Sequence, residues 1–229
     1  MTVTQGIRPA TYDDLLRLMS AMTGDEKHDP SATSTLDVVW VLYDRVLEVS
    51  PKTLDDPGRD RFYLSKGHGP MAFYATLAAK GFIPESWLAD WATYDSPLGH
   101  HPDRVLVPGV EISSGSLGHG LPLGVGTALG LRAQGIGSRV VVLVGDAELD
   151  EGSNAEAVAL AGALRLDRLI VVVVDNASTS YHRRRAIGPR FAHESWDAEV
   201  VDGRDHEALY GALTRPGTRP RVVVAEVER

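Results

Sequence analysis

Arg139-Val140-Val141-Val142-Leu143-Val144-Gly145-Asp146-Ala147 is the stretch on which the fold turns. Its first six residues form a short, continuous, β-branched and apolar run, the pattern of a strand buried on both faces. Gly145-Asp146 ends it. From Asn154 to Leu166 apolar residues and alanines recur at helical spacing, and Leu169 to Val174 is a second apolar strand that stops at Asp175-Asn176. Strand, helix and strand in this order predict a right-handed unit with parallel, neighbouring strands whose carboxyl ends open on one edge. Asp146 and Asn176 meet there. One charged and one neutral oxygen suit a hard divalent cation that stays bound to a diphosphate. The plainer reading is that both are turn residues closing their strands. On these residues alone the two readings stand level.

The rest of the chain extends the same alternation. Thr11 or Tyr12 to Met22 reads as a first helix, with Thr11 and Asp13-Asp14 as start signals, and Leu36 to Val49 as a second, strongly apolar one. Arg61 to Leu64 is a short strand, Gly69 to Lys80 a helix ended by Gly81, and Glu85 to Trp91 a short helix. Residues 92 to 116, rich in Gly, Pro, His and Ser, form a long connection of the kind that is usually functional. Leu117 to Ala133 reads as a helix. Beyond Asn176 the chain reads as irregular and basic as far as Arg190, followed by a strand at Glu199 to Val201, a helix at Asp205 to Leu213 and a last strand at Arg221 to Val227. The expected fold is α/β: one doubly wound, mostly parallel sheet with helices on both faces, forming a single domain over residues 1–229 with residues 1–10 as a loose arm.

Composition excludes several classes. The net charge is -8, and Arg183-Arg184-Arg185 is the one basic run, which argues against nucleic acid as a partner. The chain has no cysteine, so disulfides and thiolate metal sites are impossible. No apolar run approaches ~20 residues and no signal pattern opens the chain, so a cytoplasmic protein without membrane contact is expected. At 229 residues with 43% hydrophobic composition there is enough chain for one full core.

Three blocks together resemble the transketolase family. Gly145-Asp146-Ala147-Glu148-Leu149-Asp150-Glu151-Gly152, followed by Asp175-Asn176, is similar to its thiamine-diphosphate motif. Ser65-Lys66-Gly67-His68-Gly69-Pro70 is similar to its strand-to-helix segment around a histidine. Gly99-His100-His101-Pro102-Asp103 through Pro108-Gly109-Val110-Glu111 to Gly115-Ser116-Leu117-Gly118-His119-Gly120 is similar to its cofactor-covering loop. A fainter match pairs His28 with Asp37. The blocks fall in family order and span most of the chain.

The resemblance implies thiamine diphosphate as cofactor, with Mg²⁺ or Ca²⁺ held by Asp146, Asn176 and the backbone carbonyl of Ser178. It implies cofactor contacts at His68, Gly115, Ser116, Leu117, Gly145, Asp146, Ala147, Glu148 and Asn176, and catalytic roles for His28, His68 and His101. Glu151 and Glu156 match acidic residues that cross between active sites in the family. As plain helix-start carboxylates they would be equally favourable. The family carries three domains, and the chain resembles only the first. The expected protein is therefore the N-terminal subunit of a split enzyme that transfers a two-carbon ketol unit between sugars. Its partner would be a C-terminal subunit carrying the pyrimidine-binding domain and the carboxylate that activates the cofactor, within a heterotetramer.

The chain departs from the family in several places. Ala147 stands where the family has glycine and would be strained if its φ were positive. His119 replaces a glutamine, Tyr181 to Phe191 has no counterpart, and the sequence ends at Arg229, before a family loop that carries another substrate-side histidine. These departures point to altered ketose specificity. The alternatives are a decarboxylating synthase, or a dehydrogenase subunit, that takes a 2-oxo acid, and a non-catalytic assembly subunit.

Overall fold

The computed structural model describes residues 10–24, 30–179 and 186–227. His28, the triplet Arg183-Arg184-Arg185 and the arm over residues 1–9 lie outside them.

Five parallel strands make one sheet, in the order β1 (Arg61–Leu64), β2 (Val140–Gly145), β3 (Leu169–Asp175), β5 (Arg221–Glu226) and β4 (Asp197–Asp202). The four strands from β1 to β5 in this order are buried almost throughout, as their apolar runs require. At the edge, β4 alternates between half-buried and exposed residues, with Asp197 and Glu199 in its sequence. Alternate strand residues feed two cores. Val141, Leu143, Val172, Val174 and Val223 face the helices α1 (Tyr12–Ser20), α3 (Leu36–Val41), α4 (Met71–Ala79) and α8 (His206–Thr214). Val140, Val142, Val144, Val171, Val173 and Val222 face α5 (Gly120–Ala133), α6 (Gly152–Ala163) and α7 (Ile187–His193). A single-turn α2 (Pro30–Thr33) precedes α3. The doubly wound α/β expectation holds, and the strands are all parallel.

Four local expectations are corrected. The second helix does not run evenly from Leu36 to Val49: after Val41 it widens into a π turn over Leu42–Val46, where the Leu47 amide donates to the Leu42 carbonyl (2.8 Å). Three valines crowd the preceding turn (Val38, Val39 and Val41), and the Val46 carbonyl is taken by the Arg139 guanidinium. Helix α5 begins at Gly120 rather than Leu117, because Gly118 takes a left-handed φ of 79° that a helix cannot run through, and its amide and that of Gly120 donate to side chains outside the helix. The strand expected at Glu199 to Val201 runs over Asp197–Asp202 as β4. The segment before Arg190 is not wholly irregular. Helix α7 starts at Ile187 with Pro189 in its first turn, where a missing N–H costs nothing, and it buries Phe191 edge-on against Trp196 (5.0 Å). Among the described residues no helix is long and apolar enough to cross a membrane.

Candidate functional site

Strand register brings the expected residues together. Gly145 pairs with Val174 across β2 and β3, so Asp146 and Asp175 follow side by side at the carboxyl edge, with Asn176 one step beyond. Asp146 is buried. Its Oδ1 accepts from the Ser178 hydroxyl (2.5 Å) and its Oδ2 from the Thr179 amide (3.0 Å), which ties the segment after β3 to the end of β2. Thr179 also donates from its hydroxyl to Asp150 (3.0 Å). Asp175 accepts from the Ala177 amide (3.1 Å), and Ala177 takes a positive φ of 57°, turning the chain sharply after Asn176. Ala147 opens a 3₁₀ turn and is not among the residues with positive φ, so the alanine in place of glycine carries no backbone strain.

The Asn176 side chain is the unbalanced group. Its Oδ1 is sealed from solvent and, among the described residues, has no hydrogen-bond partner. Leaving a buried amide oxygen unmatched costs about 1–3 kcal/mol. Ser114 Oγ and Asn154 Oδ1 share that state, but only Asn176 lies at a strand end beside a buried carboxylate. Among the described residues no three His, Asp or Glu side chains are grouped to hold a cation. The Asp146 carboxylate and the Asn176 amide oxygen at the neighbouring strand ends are of the donor type that suits a cation also taking ligands from a diphosphate.

A second wall comes from the segment after β1 and the long loop. His68 and His101 are both exposed, with rings 6.2 Å apart and nearly perpendicular. His101 Nδ1 lies 2.9 Å from the Gly67 carbonyl, which can only accept. Nδ1 therefore carries the hydrogen, and in the neutral ring Nε2 is left free to take a proton. Gly115 adopts φ 113°, and a Cβ there would sit 2.9 Å from the His101 ring; one on Gly67 would sit 3.0 Å from the Gly115 Cα. The glycines let loop, histidine and strand end close on one another. Ser116 and Leu117 are exposed, and among the described residues the amides of Gly115, Ser116 and Leu117 have no acceptor. The loop is anchored by Tyr74, whose hydroxyl donates to the Gly99 carbonyl (3.0 Å), and by Arg59, which pairs through two nitrogens with Glu111 (3.1 and 3.0 Å).

Two residues inside the quoted motifs do more than their sequence context suggested. Lys66 is buried, and its ammonium donates to the carbonyls of Ser31 (3.2 Å) and His68 (3.0 Å). Burial pulls it down to about 8, against the opposing pull of Asp146 and Glu148. Glu148 is buried and pushed above the usual carboxylate range by desolvation, which outweighs its hydrogen bonds and Lys66. Its carboxylate turns inward, onto the Ser65 hydroxyl and the amides of Gly118 and Gly145. A lysine and a glutamate at the ends of apolar strands were the available signal, since buried charge is rare without a partner. Glu151 and Glu156 are exposed at the start of α6.

Comparison with known proteins agrees with this geometry. Residues 14–223 match the family model described as "Transketolase, thiamine diphosphate binding domain". A protein of Rhodococcoides fascians named "Ferredoxin fas2" is 56% identical over 221 residues, covering 96% of this chain and 73% of its own length. The present chain holds no cysteine and so cannot ligate an iron–sulfur cluster through thiolates. A protein of Actinobacillus succinogenes, named as one subunit of an apulose-4-phosphate transketolase, is 44% identical over 210 residues, with 88% of this chain and 76% of that one covered. A transketolase crystal structure from Pichia stipitis, solved with sedoheptulose 7-phosphate, superposes with a TM-score of 0.84 at 26% identity and covers 94% of this chain. The chain spans only 35% of that solved protein. By the extent of the family match and the identity to these relatives, the chain belongs to the transketolase family.

Proposed function

We propose that this chain is the diphosphate-side subunit of a two-chain transketolase-like enzyme that moves a two-carbon ketol unit from a ketose or ketose phosphate to an acceptor sugar. The observation that carries the reading is the buried, unpartnered Asn176 Oδ1 beside Asp146. Asp146, Asn176 and the Ser178 carbonyl would hold Mg²⁺ or Ca²⁺. Gly115, Ser116 and Leu117 would offer their amides to the cofactor, and Gly145 and Ala147 would let it approach the end of β2. Thiamine diphosphate, when bound, supplies the electron sink for carbon–carbon cleavage. His101, with Nδ1 fixed on the Gly67 carbonyl, is set to hold or pass a substrate hydroxyl proton at Nε2, with His68 beside it. Lys66 places a positive charge behind Asp146 and Glu148.

The chain spans about three quarters of a relative that is itself named as one subunit, but only about a third of a complete transketolase. The subunit name of that relative supports a partner, here taken to bring the pyrimidine-binding side, and the assembly proposed is cytoplasmic with two copies of each chain. The test is a calorimetric titration of thiamine diphosphate into the complex. Uptake with Mg²⁺ that disappears in EDTA supports the reading, and uptake indifferent to the metal refutes it.

A further inference from the structure

We propose that Glu148 is a positioning residue that sets the 115–120 loop against the metal-side strand end before any cofactor arrives. This rests on the reading that thiamine diphosphate binds at the carboxyl edge. Glu148 Oε1 accepts from the Ser65 hydroxyl and from the Gly118 amide (3.1 Å), and Oε2 accepts from the Gly145 amide (3.3 Å). Ser65 Oγ in turn accepts from the Gly120 amide (3.1 Å). One carboxylate thereby gathers three separate segments: the end of β1 through Ser65, the loop and first turn of α5 through Gly118 and Gly120, and the residue just before Asp146.

The fit leaves no slack. A Cβ on Gly120 would lie 2.3 Å from the Ser65 side chain, and one on Gly118 would lie 2.6 Å from Ser153 Oγ. The Ser153 hydroxyl donates to the Gly118 carbonyl (2.7 Å), so the glycine is held from both its amide and its carbonyl. The backbone of Glu148 is fixed as well, since the Asn154 side-chain amide donates to its carbonyl (2.7 Å). With both carboxylate oxygens engaged by protein donors, Glu148 acts through the segments it joins. The amides of Gly118 and Gly120, which a helix start would otherwise offer to an anion, are consumed in this clip; those of Gly115, Ser116 and Leu117 remain for a ligand. Holding the loop in its binding conformation beforehand removes the ordering cost from cofactor association.

The test uses the full 229-residue chain, first without cofactor. Amide hydrogen exchange at Gly118 and Gly120 is followed in wild type, Glu148→Gln, Ser65→Ala and the double variant. Glutamine puts an N–H₂ group against a donor, whereas alanine at Ser65 cuts the link to Gly120 without adding bulk. Both single variants are expected to speed exchange at both glycines about tenfold or more, and the double variant no further than Glu148→Gln alone. In the reconstituted complex the half-saturating thiamine diphosphate concentration should rise about tenfold with turnover at saturation preserved. Ser65→Ala keeps the test open should Glu148→Gln fail to fold. Unchanged exchange at both glycines, or effects that add in the double variant, would overturn the proposal. A wild-type complex that takes up no thiamine diphosphate would refute the proposed function instead, while the exchange data would still decide the role of Glu148.

Discussion

The two edges of the sheet are built on opposite principles. At the amino edge the larger cavity, about 600 Å³, is lined by Arg139, Arg168, Arg215, Arg219 and Arg221 among others. Its buried charges are internally matched. Arg139 holds Asp60 through its side chain (2.6 and 2.9 Å) and its amide (2.8 Å), and Arg221 donates to the Ala212 carbonyl (2.9 Å). At the carboxyl edge the cavity beside Asp146 is only about 220 Å³, yet this edge, outside that cavity's lining, leaves a buried oxygen unmatched. Among the described residues Asn176 Oδ1 is sealed from solvent without a partner, while the exposed amides of Gly115, Ser116 and Leu117 have no protein acceptor and stay open to a ligand. Unmet hydrogen-bonding capacity marks the place a ligand would fill. Cavity size alone points to the edge opposite the proposed site.

Exchanging the same chemical change between the edges gives the largest contrast. Asp146→Ala should abolish Mg²⁺-dependent cofactor uptake, by about 100-fold or more, while the melting temperature stays within a few degrees of wild type. Asp60→Ala should do the reverse, because it takes the acceptor from the half-buried Arg139 guanidinium and from the amides of Glu48 and Arg139: a loss of about 1–3 kcal/mol in stability, with cofactor affinity unchanged in the folded fraction. Calorimetry and thermal melts on both variants check this, and a shared phenotype would erase the distinction between the edges.

Within the carboxyl edge, the histidines sharpen the account. His101→Ala and His68→Ala should each lower turnover of the reconstituted complex by about 10²- to 10⁴-fold. Neither should change folding, since both rings are exposed. Lost stability with normal turnover in the folded fraction would make them structural.

Lys66 gives the smallest effect and a pH signature. Its folded-state pKa, about 8, lies below the ordinary 10.5, so over that interval the unfolded chain binds more protons than the folded one. Stability contributed by this group therefore rises with pH above 8, by roughly 2 kcal/mol before tyrosine ionisation near pH 10 intervenes. Denaturant unfolding of Lys66→Met between pH 8 and 10 should show that rise flattened. A slope like that of wild type would deny that the lysine is desolvated.

Much of this was legible in the residues. The strands β2 and β3 are apolar at every inner position, so their burial, their parallel pairing and the meeting of Asp146 with the end of β3 follow from pattern alone. The start of α5 was not legible, because Leu117 continues the helical spacing while Gly118 is held at a left-handed φ of 79°, its amide and that of Gly120 claimed by Glu148 and Ser65, 30 and 55 positions away. Helix α7 was hidden by Gly188-Pro189, which reads as a breaker unless Pro189 is known to fall in a first turn. The inward turn of Glu148 was hidden for the same reason as the α5 boundary: most of its partners come from distant parts of the chain.

The most direct measurement is thiamine diphosphate titration of Asn176→Ala in the presence of Mg²⁺, paired with the unfolding free energy of the cofactor-free chain. If the buried oxygen waits for a cation, removing it should weaken cofactor binding about tenfold or more and leave the cofactor-free chain as stable as wild type or slightly more so. Wild-type affinity, with stability lost as if a satisfied hydrogen bond had been removed, would contradict the assignment of the carboxyl edge as the cofactor site.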